Sequence, residues 1–293
     1  MRTERLDVCE VCGEARLLRV GGERDLVRCH RCGYVCHTPR PTEAEIADFY
    51  ASPEKYAGWL SAPRGRDLLW RSRLKVVRRL RRHGRLLDVG AGVGSFLRLA
   101  RAHYDVCGTE VSPEAIRVAA EHANVALVHT AVEQLDLPAA SFDVITMFHV
   151  LEHVHHPART IERCRALLKP GGLLVVAVPN DVQGLRFRVR RLAARLGLSR
   201  RPRWFGPIDL DAANTDEVHL SHFTAPVLRR LLRRCGFRAI RDTLDRHYVS
   251  TGWRRIADDL YYVACRAARR LGLRLYDTML LTAERPVATG KVA

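Results

Sequence analysis

The fourteen residues RLLDVGAGVGSFLR at 85–98 set the terms for the rest of this 293-residue chain. Leu86, Leu87 and Val89 form a short apolar run with an acid, Asp88, near its end. Gly90, Gly92 and Gly94 follow at alternate positions, and Phe96, Leu97 and Leu99 then take up helical spacing. The pattern predicts a buried strand, a tight glycine turn and a helix. In a doubly wound sheet such a turn lies at the carboxyl ends of the strands, where ligands bind. Glycine there admits positive φ and lets a ligand approach the backbone without meeting a Cβ.

From residue 85 onward, apolar runs alternate with helical segments. Strands are predicted at 86–89, 106–109, 126–129, 144–147 and 173–178, with helices at 94–102, 113–122 and 157–168 between them. This rhythm predicts an α/β domain: a doubly wound, mostly parallel sheet with helices on both faces. Pro113 and Pro157 sit at first helical positions, where the missing N–H does no harm. A helix at 226–235 should stop at Gly236, with strands at 237–244 and 275–283. Ile256, Leu260, Val263, Ala267 and Leu271 mark another amphipathic helix.

The segments before residue 85 are less regular. Thr42 with Glu45 three residues on predicts a capping box for a helix at 43–50. Residues 51–65, with Tyr56 and Trp59, read as a loop that could fold over a ligand. A basic helix at 66–82 reads as a solvated face. Residues 180–224 interrupt the α/β rhythm. Eight arginines and no acid lie between Arg186 and Arg203, threaded by Leu185, Val189, Leu192 and Leu196. The expectation is a surface helix packed on the domain by that seam. A basic amphipathic helix also suits an anionic membrane or phosphate.

Cysteine is unevenly placed. Five of the nine cysteines fall before residue 37, as Cys9-x2-Cys12 and Cys29-x2-Cys32 with 16 residues between the pairs, and Cys36. This is zinc-ribbon spacing. Four thiolates close a tetrahedral Zn2+ site and leave no open position for catalysis. Cys36 and His37 are possible substitute ligands. So short a segment lacks a core, and the metal would supply its folding energy. The expected organisation is a zinc ribbon at 1–40, a helical cap or linker at 41–84, and a main domain at 85–293 with a basic insert at 181–223.

The net charge of +17 admits RNA, an anionic membrane or a phosphorylated substrate as partner. Only four of the 49 basic residues are lysine, so a general bias toward arginine explains much of it. No apolar run approaches membrane-spanning length. The opening MRTERLDVCE has no apolar core of a secretory signal, which predicts a cytoplasmic protein.

Two ligand classes suit a glycine turn of this kind. A dinucleotide fold wants G-x-G-x-x-G, but here Ser95 stands where the third glycine belongs. A carboxylate at Asp88 would repel a pyrophosphate and suits a ligand with a cationic end. Glu110, ending the second strand, can accept from both hydroxyls of a ribose. Asp88–Gly94, Gly108–Ser112, Ser141–Ile145 and Leu168–Gly172 together closely resemble the class I S-adenosylmethionine-dependent methyltransferases. His149–Val154, Val178–Asn180 and His219–Thr224 resemble a branch that acts on small molecules, sugars or quinones and often carries an N-terminal zinc ribbon.

That resemblance implies a Rossmann-like seven-stranded sheet and S-adenosyl-L-methionine as cofactor. It implies that Asp88, Gly90, Ala91, Gly92 and Gly94 surround the methionine portion and that Glu110 holds the ribose. Val111 would lie beside the adenine, Ala131, Val132 and Glu133 would form the adenine-side loop, and Phe148 would close the pocket. Many relatives have an acid near position 130 or 131 for the adenine amino group. Thr130 and Ala131 stand there in this chain, so Glu133 or backbone groups must serve.

Methyl transfer to a hydroxyl needs a base, and imidazole suits that near neutral pH. The candidates are His153, then His149, with His222 and His219 arriving from the segment after the insert. His155 and His156 are expected to be exposed. His149-x-x-Glu152-His153 also matches the inverted zinc-protease motif, but Pro157 leaves no room for the regular helix that motif needs. The expected activity is methyl transfer to a small-molecule acceptor, most simply a hydroxyl. The alternatives are an RNA methyltransferase using the ribbon and the arginines, and a non-catalytic cofactor-binding module. No base-clamping N-P-P-Y-like motif follows the fourth strand, which counts against RNA.

Overall fold

The computed structural model describes residues 2–20, 25–51, 63–180, 182–185, 188–189, 192–193, 196, 208, 210, 217–245 and 250–287. The loop expected to hold Tyr56 and Trp59 lies outside the described residues, as does most of the arginine-rich insert.

The continuous apolar runs become strands buried on both faces, as parallel strands covered by helices must be. Strands β6 (Arg85–Val89), β7 (Asp105–Glu110), β8 (Val128–His129), β9 (Phe142–Phe148), β10 (Leu168–Pro179), β12 (Arg238–Leu244) and β13 (Thr278–Glu284) form one seven-stranded sheet. Its order is β12-β13-β10-β9-β6-β7-β8, with β13 antiparallel to both its neighbours, β12 and β10, and the other pairings parallel. The chain moves outward from β6 to β8, then returns to the other side of β6 with β9 and β10. The reversal opens a crevice at the carboxyl ends of β6 and β9. Leu87, Ile145, Val176 and Leu281 pack on one face of the sheet, and Leu86, Val144, Val175 and Leu280 on the other.

Helices α1 (Glu43–Tyr50), α2 (Pro63–Leu80), α3 (Ser95–Ala100), α4 (Pro113–Val118), α5 (Pro157–Leu167), α6 (Ala225–Arg234) and α7 (Gly252–Arg270) accompany the strands. α4 runs on as one turn of π-helix, Ala119–Ala123. The predicted capping box on α1 does not form. Thr42 makes no side-chain cap, and Glu45 accepts instead from the backbone N–H of Arg2 at 2.8 Å.

The N-terminal cysteine segment is not a separate bead on the chain. Strands β2 (Leu17–Arg19), β3 (Leu26–Cys29) and β4 (Val35–His37) form a sheet whose fourth strand, β11 (Ser221–His222), comes from beyond the insert. Ser221 pairs with Cys36 and His222 with Val35, and the Tyr34 and Ser221 hydroxyls lie 2.5 Å apart. A short pair, β1 (Thr3–Glu4) with β5 (Arg40–Pro41), closes the segment. Arg40, wholly buried, donates to Glu4 at 2.8 Å.

Two expectations about basic helices are corrected. α2 is not merely a solvated face, because Arg73 is buried and paired with Asp245. The seam of the insert is not packed down: Val189, Leu192 and Leu196 are all exposed.

Candidate active site

The glycine turn forms where β6 gives way to α3. Gly90 has a φ of +64°, and a Cβ there would lie 2.5 Å from Val150 Cγ2, so only glycine fits. The Ala91 N–H donates to Thr109 and the Gly92 N–H to the Glu110 carboxylate, at 2.9 and 2.8 Å, which ties the turn to the end of β7. The other Glu110 oxygen accepts from the N–H groups of Val111 and Ser112. Burial raises the Glu110 carboxyl despite these bonds.

Asp88 is buried and accepts from the Thr146 hydroxyl at 2.6 Å. Burial pushes its carboxyl up to about 7, against the pull of that bond and of the Arg73 charge. A buried carboxyl in this condition rewards a cation beside it. Phe148, at the end of β9, meets Phe96 and Trp70 with centroids 5.0 and 5.8 Å apart, under the Arg73 guanidinium. Val132 is buried, Ala131 half-buried and Val111 exposed. Glu133 accepts from the Thr160 hydroxyl on α5.

Beyond β9 the chain makes a turn, not the helix that a zinc-protease motif requires, and His149 adopts a φ of +58°. Its Nε2 lies 2.9 Å from Arg73 Nη2, which can only donate, so Nε2 is an acceptor already engaged. Its Nδ1 faces Glu152 at 3.2 Å. Burial, then the Arg73 charge, lowers the ring to about 4. His149 thus lies as a neutral ring between Arg73, which pairs with Asp245, and Glu152.

His153 is differently placed. Its Nδ1 lies 2.6 Å from the Val218 carbonyl, which fixes the proton there and leaves Nε2 with the lone pair. Nε2 faces Glu217 at 3.8 Å and Glu152 at 4.0 Å. The Tyr50 hydroxyl touches the same imidazole edge at 3.1 Å and accepts from the Val218 N–H. The His219 ring lies 5.0 Å away, centroid to centroid. Burial lowers the His153 pKa, opposed by Glu152. Burial alone would raise the Glu217 carboxyl, but the bond from His219 and the His153 charge hold it down to about 2. Glu152 is 1% exposed, and its Oε2 has no hydrogen-bond partner among the described residues. Glu152, His153 and His219 each bring a donor atom within 4.8 Å of the others, a spacing that could hold a hydroxyl or a cation.

Two of the remaining histidines, His155 and His156, depart from expectation. The His222 ring lies 6.1 Å from that of His219, centroid to centroid. It stands in β11 beside His37 of β4, with rings 5.5 Å apart. His155 is buried, not exposed, and bonds to the Pro41 carbonyl at 2.7 Å; His156 faces Glu10 at 2.9 Å. Tyr50, Arg73, Glu217 and Asp245 escaped the sequence reading. The alternation Glu217-x-His219 was the one usable signal among them.

In the cysteine segment, Cys9, Cys12, Cys29 and Cys32 place their sulfurs within 4.8 Å of one another, while Cys36 lies buried apart from that set.

A seven-stranded sheet of this order, with an acid and a glycine turn at the switch point, defines a class I S-adenosylmethionine-dependent methyltransferase domain. The chain belongs to the methyltransferase-domain family, whose sequence model matches residues 64–241. It is 39% identical over 102 residues to a ubiquinone biosynthesis O-methyltransferase of Cereibacter sphaeroides, covering 33% of this chain and 41% of that one. The corresponding protein of Haemophilus ducreyi is 38% identical over 107 residues, covering 33% and 45%. The chain thus spans less than half the length of these curated relatives. Among solved structures, a methyltransferase of Thermotoga maritima superposes with a TM-score of 0.53 at 18% identity, over 82% of this chain and 99% of that one. A phosphoethanolamine N-methyltransferase of Haemonchus contortus gives 0.51 at 15%, over 86% and 62%. These two likenesses concern the fold.

Proposed function

We propose that this chain transfers a methyl group from S-adenosylmethionine to a hydroxyl of a small-molecule acceptor. The observation that carries the reading is the pairing at one sheet edge of two groups. One is a buried, cation-seeking carboxyl just before a glycine turn; the other is a half-buried imidazole whose lone pair stands between two carboxylates. Bound S-adenosylmethionine supplies the electrophilic methyl carbon on its sulfonium. Asp88 meets the cofactor's ammonium, Gly90–Gly94 make room for the methionine portion, and Glu110 turns toward the ribose. Phe148 and Trp70 exclude water on the side of α2.

His153 Nε2 takes the acceptor's hydroxyl proton. Glu217 and Glu152 stabilise the imidazolium that forms, and the Val218 carbonyl holds the ring in the correct tautomer. The orphaned Glu152 Oε2 can accept a hydrogen bond from the acceptor. Arg73 and His149 hold Glu152 in place. The alignment of acceptor and donor carries the rest of the rate, as in any in-line displacement. The ubiquinone-type relatives act through oxygen, which agrees with a hydroxyl acceptor.

The four ribbon thiols suit a structural Zn2+ in number and spacing. By pairing β4 with β11, the loaded ribbon would hold the segment carrying Glu217, Val218 and His219 against His153. Calorimetry with S-adenosylhomocysteine tests the cofactor site. Binding that is absent, or undiminished in Asp88→Ala, removes the proposal. Loss of turnover with retained cofactor binding in His153→Ala tests the base.

A further inference from the structure

α7 is built inside out. It lies in the 33-residue connection 245–277 between β12 and β13, antiparallel neighbours that a two-residue hairpin could join. Its polar and aromatic side packs down. Cys265 is buried, the Tyr261 hydroxyl donates to the Leu275 carbonyl, and Arg269 pairs with Asp242. Its apolar side faces out. Trp253, Ile256, Leu260, Val263 and Leu271 are 74, 63, 66, 59 and 80% exposed. The first four recur at intervals of three and four residues, so they form one stripe along the helix. Arg255, Arg266 and Arg270 line one flank of that stripe, with Asp259 paired to Arg255 at 3.5 Å.

The surface next to the end of the stripe is strongly basic. Beyond Leu271 and Leu273, Arg274 lines a cleft of about 570 Å³ whose other walls are Pro226, Arg229, Arg230, Arg233 and Arg234 of α6. Asp242 is the carboxylate within reach of Arg229 and Arg274. The insert begins at the same corner. Leu185 donates to the Leu275 carbonyl, and the insert's Val189, Leu192 and Leu196 are exposed in a stretch whose sequence carries arginines and no acid. Pro179 pairs with Thr278 at this corner, so it lies at the carboxyl edge of the parallel strands, the edge that bears the candidate active site.

We infer that α7 is an interfacial helix that seats the protein on an anionic phospholipid bilayer, with its apolar stripe at the acyl boundary and the α6 arginine cleft on lipid phosphate. An apolar stripe with a tryptophan at one end and arginines beside it is the pattern of a helix lying in the interface plane. The charge favours this occupant over a second copy of the chain, because two copies meeting here would bring together the 186–203 stretches, each with eight arginines and no acid, and the arginines of the α6 cleft. RNA would use the arginines but gives no reason for five exposed apolar side chains on the helix. No helix among the described residues is long and apolar enough to cross a membrane, so the contact is peripheral. The inference deepens the small-molecule reading by favouring an acceptor that partitions into lipid, but binding can be tested without any acceptor.

The test is co-sedimentation of the full chain with vesicles of phosphatidylcholine alone and of phosphatidylcholine with phosphatidylglycerol. The expected result is pelleting with the anionic vesicles only, weakened by salt. Leu260→Asp and Val263→Asp should each reduce partitioning roughly tenfold or more, as loss of one buried apolar side chain implies. Arg230→Glu with Arg233→Glu should abolish the preference for anionic lipid. Because the stripe is exposed, all variants should keep the wild-type melting temperature and bind S-adenosylhomocysteine normally. That control separates failure here from failure of the cofactor proposal. Absent pelleting, or pelleting unchanged in Leu260→Asp, overturns the inference. So does a dimer in light scattering that Leu260→Asp dissociates, which would assign the stripe to a second copy, and so does RNA competing the protein off vesicles while Leu260→Asp leaves lipid binding intact.

Discussion

The condition of Asp88 makes the strength of cofactor binding a function of pH. In the ligand-free protein its carboxyl is pushed up to about 7 by burial. An ammonium beside it needs the ionised form, so binding must displace a proton from every molecule that holds one. Below pH 7 the apparent affinity should therefore fall tenfold per unit. Between pH 7.5 and 5.5 that amounts to roughly thirtyfold, or about 2 kcal/mol at 1.36 kcal/mol per unit. Calorimetric titration of S-adenosylhomocysteine across this range measures it, and repeating the titration in buffers of different ionisation enthalpy counts the proton released. Asp88→Asn should bind more weakly at pH 7.5 and show little slope. The same shift has a stability counterpart. The folded carboxyl keeps a proton that the unfolded chain gives up near its ordinary value, so the ligand-free protein loses stability as pH rises from about 4 to 7. A flat affinity from pH 5.5 to 7.5, or an equal slope in Asp88→Asn, would refute the reasoning.

Three further outcomes follow from the geometry. Asp245→Ala strands the buried Arg73 guanidinium and should cost roughly 3–5 kcal/mol in urea unfolding, as removal of one partner from a buried ion pair does. Gly90→Ala places a Cβ against Val150 at positive φ; it should cost at least about 1–2 kcal/mol and weaken S-adenosylhomocysteine binding in the same titration. Cys12→Ser, or treatment with a strong chelator, should remove zinc as counted by elemental analysis. It should also lower the melting temperature and depress turnover, because β11 loses its partner strand.

The parts of this fold written in local pattern were open to sequence reading. The apolar runs of β6, β9 and β10, the prolines opening α4 and α5, and the glycines after Asp88 each act through neighbours a few residues away. What escaped depends on distant partners. Arg73 looked like one more solvated arginine because Asp245, its counter-charge, lies 172 residues on. His155 looked exposed because the Pro41 carbonyl that buries it belongs to another segment. The pairing of β11, with His222, onto β4 of the cysteine segment likewise has no local signal. The capping box failed because Arg2 competes for Glu45. On α7 the spacing shows that the apolar residues share a side, but not that the protein leaves that side outside.

The account's central claim is that this site methylates oxygen on a small molecule. The most direct measurement supplies the full chain with methyl-labelled S-adenosylmethionine and, separately, the small-molecule and RNA fractions of a cell extract. The labelled atom is then identified by mass spectrometry. The account predicts label on a hydroxyl oxygen in the small-molecule fraction, lost in His153→Ala while S-adenosylhomocysteine still binds. Label recovered in the RNA fraction, or undiminished labelling by His153→Ala, would contradict it.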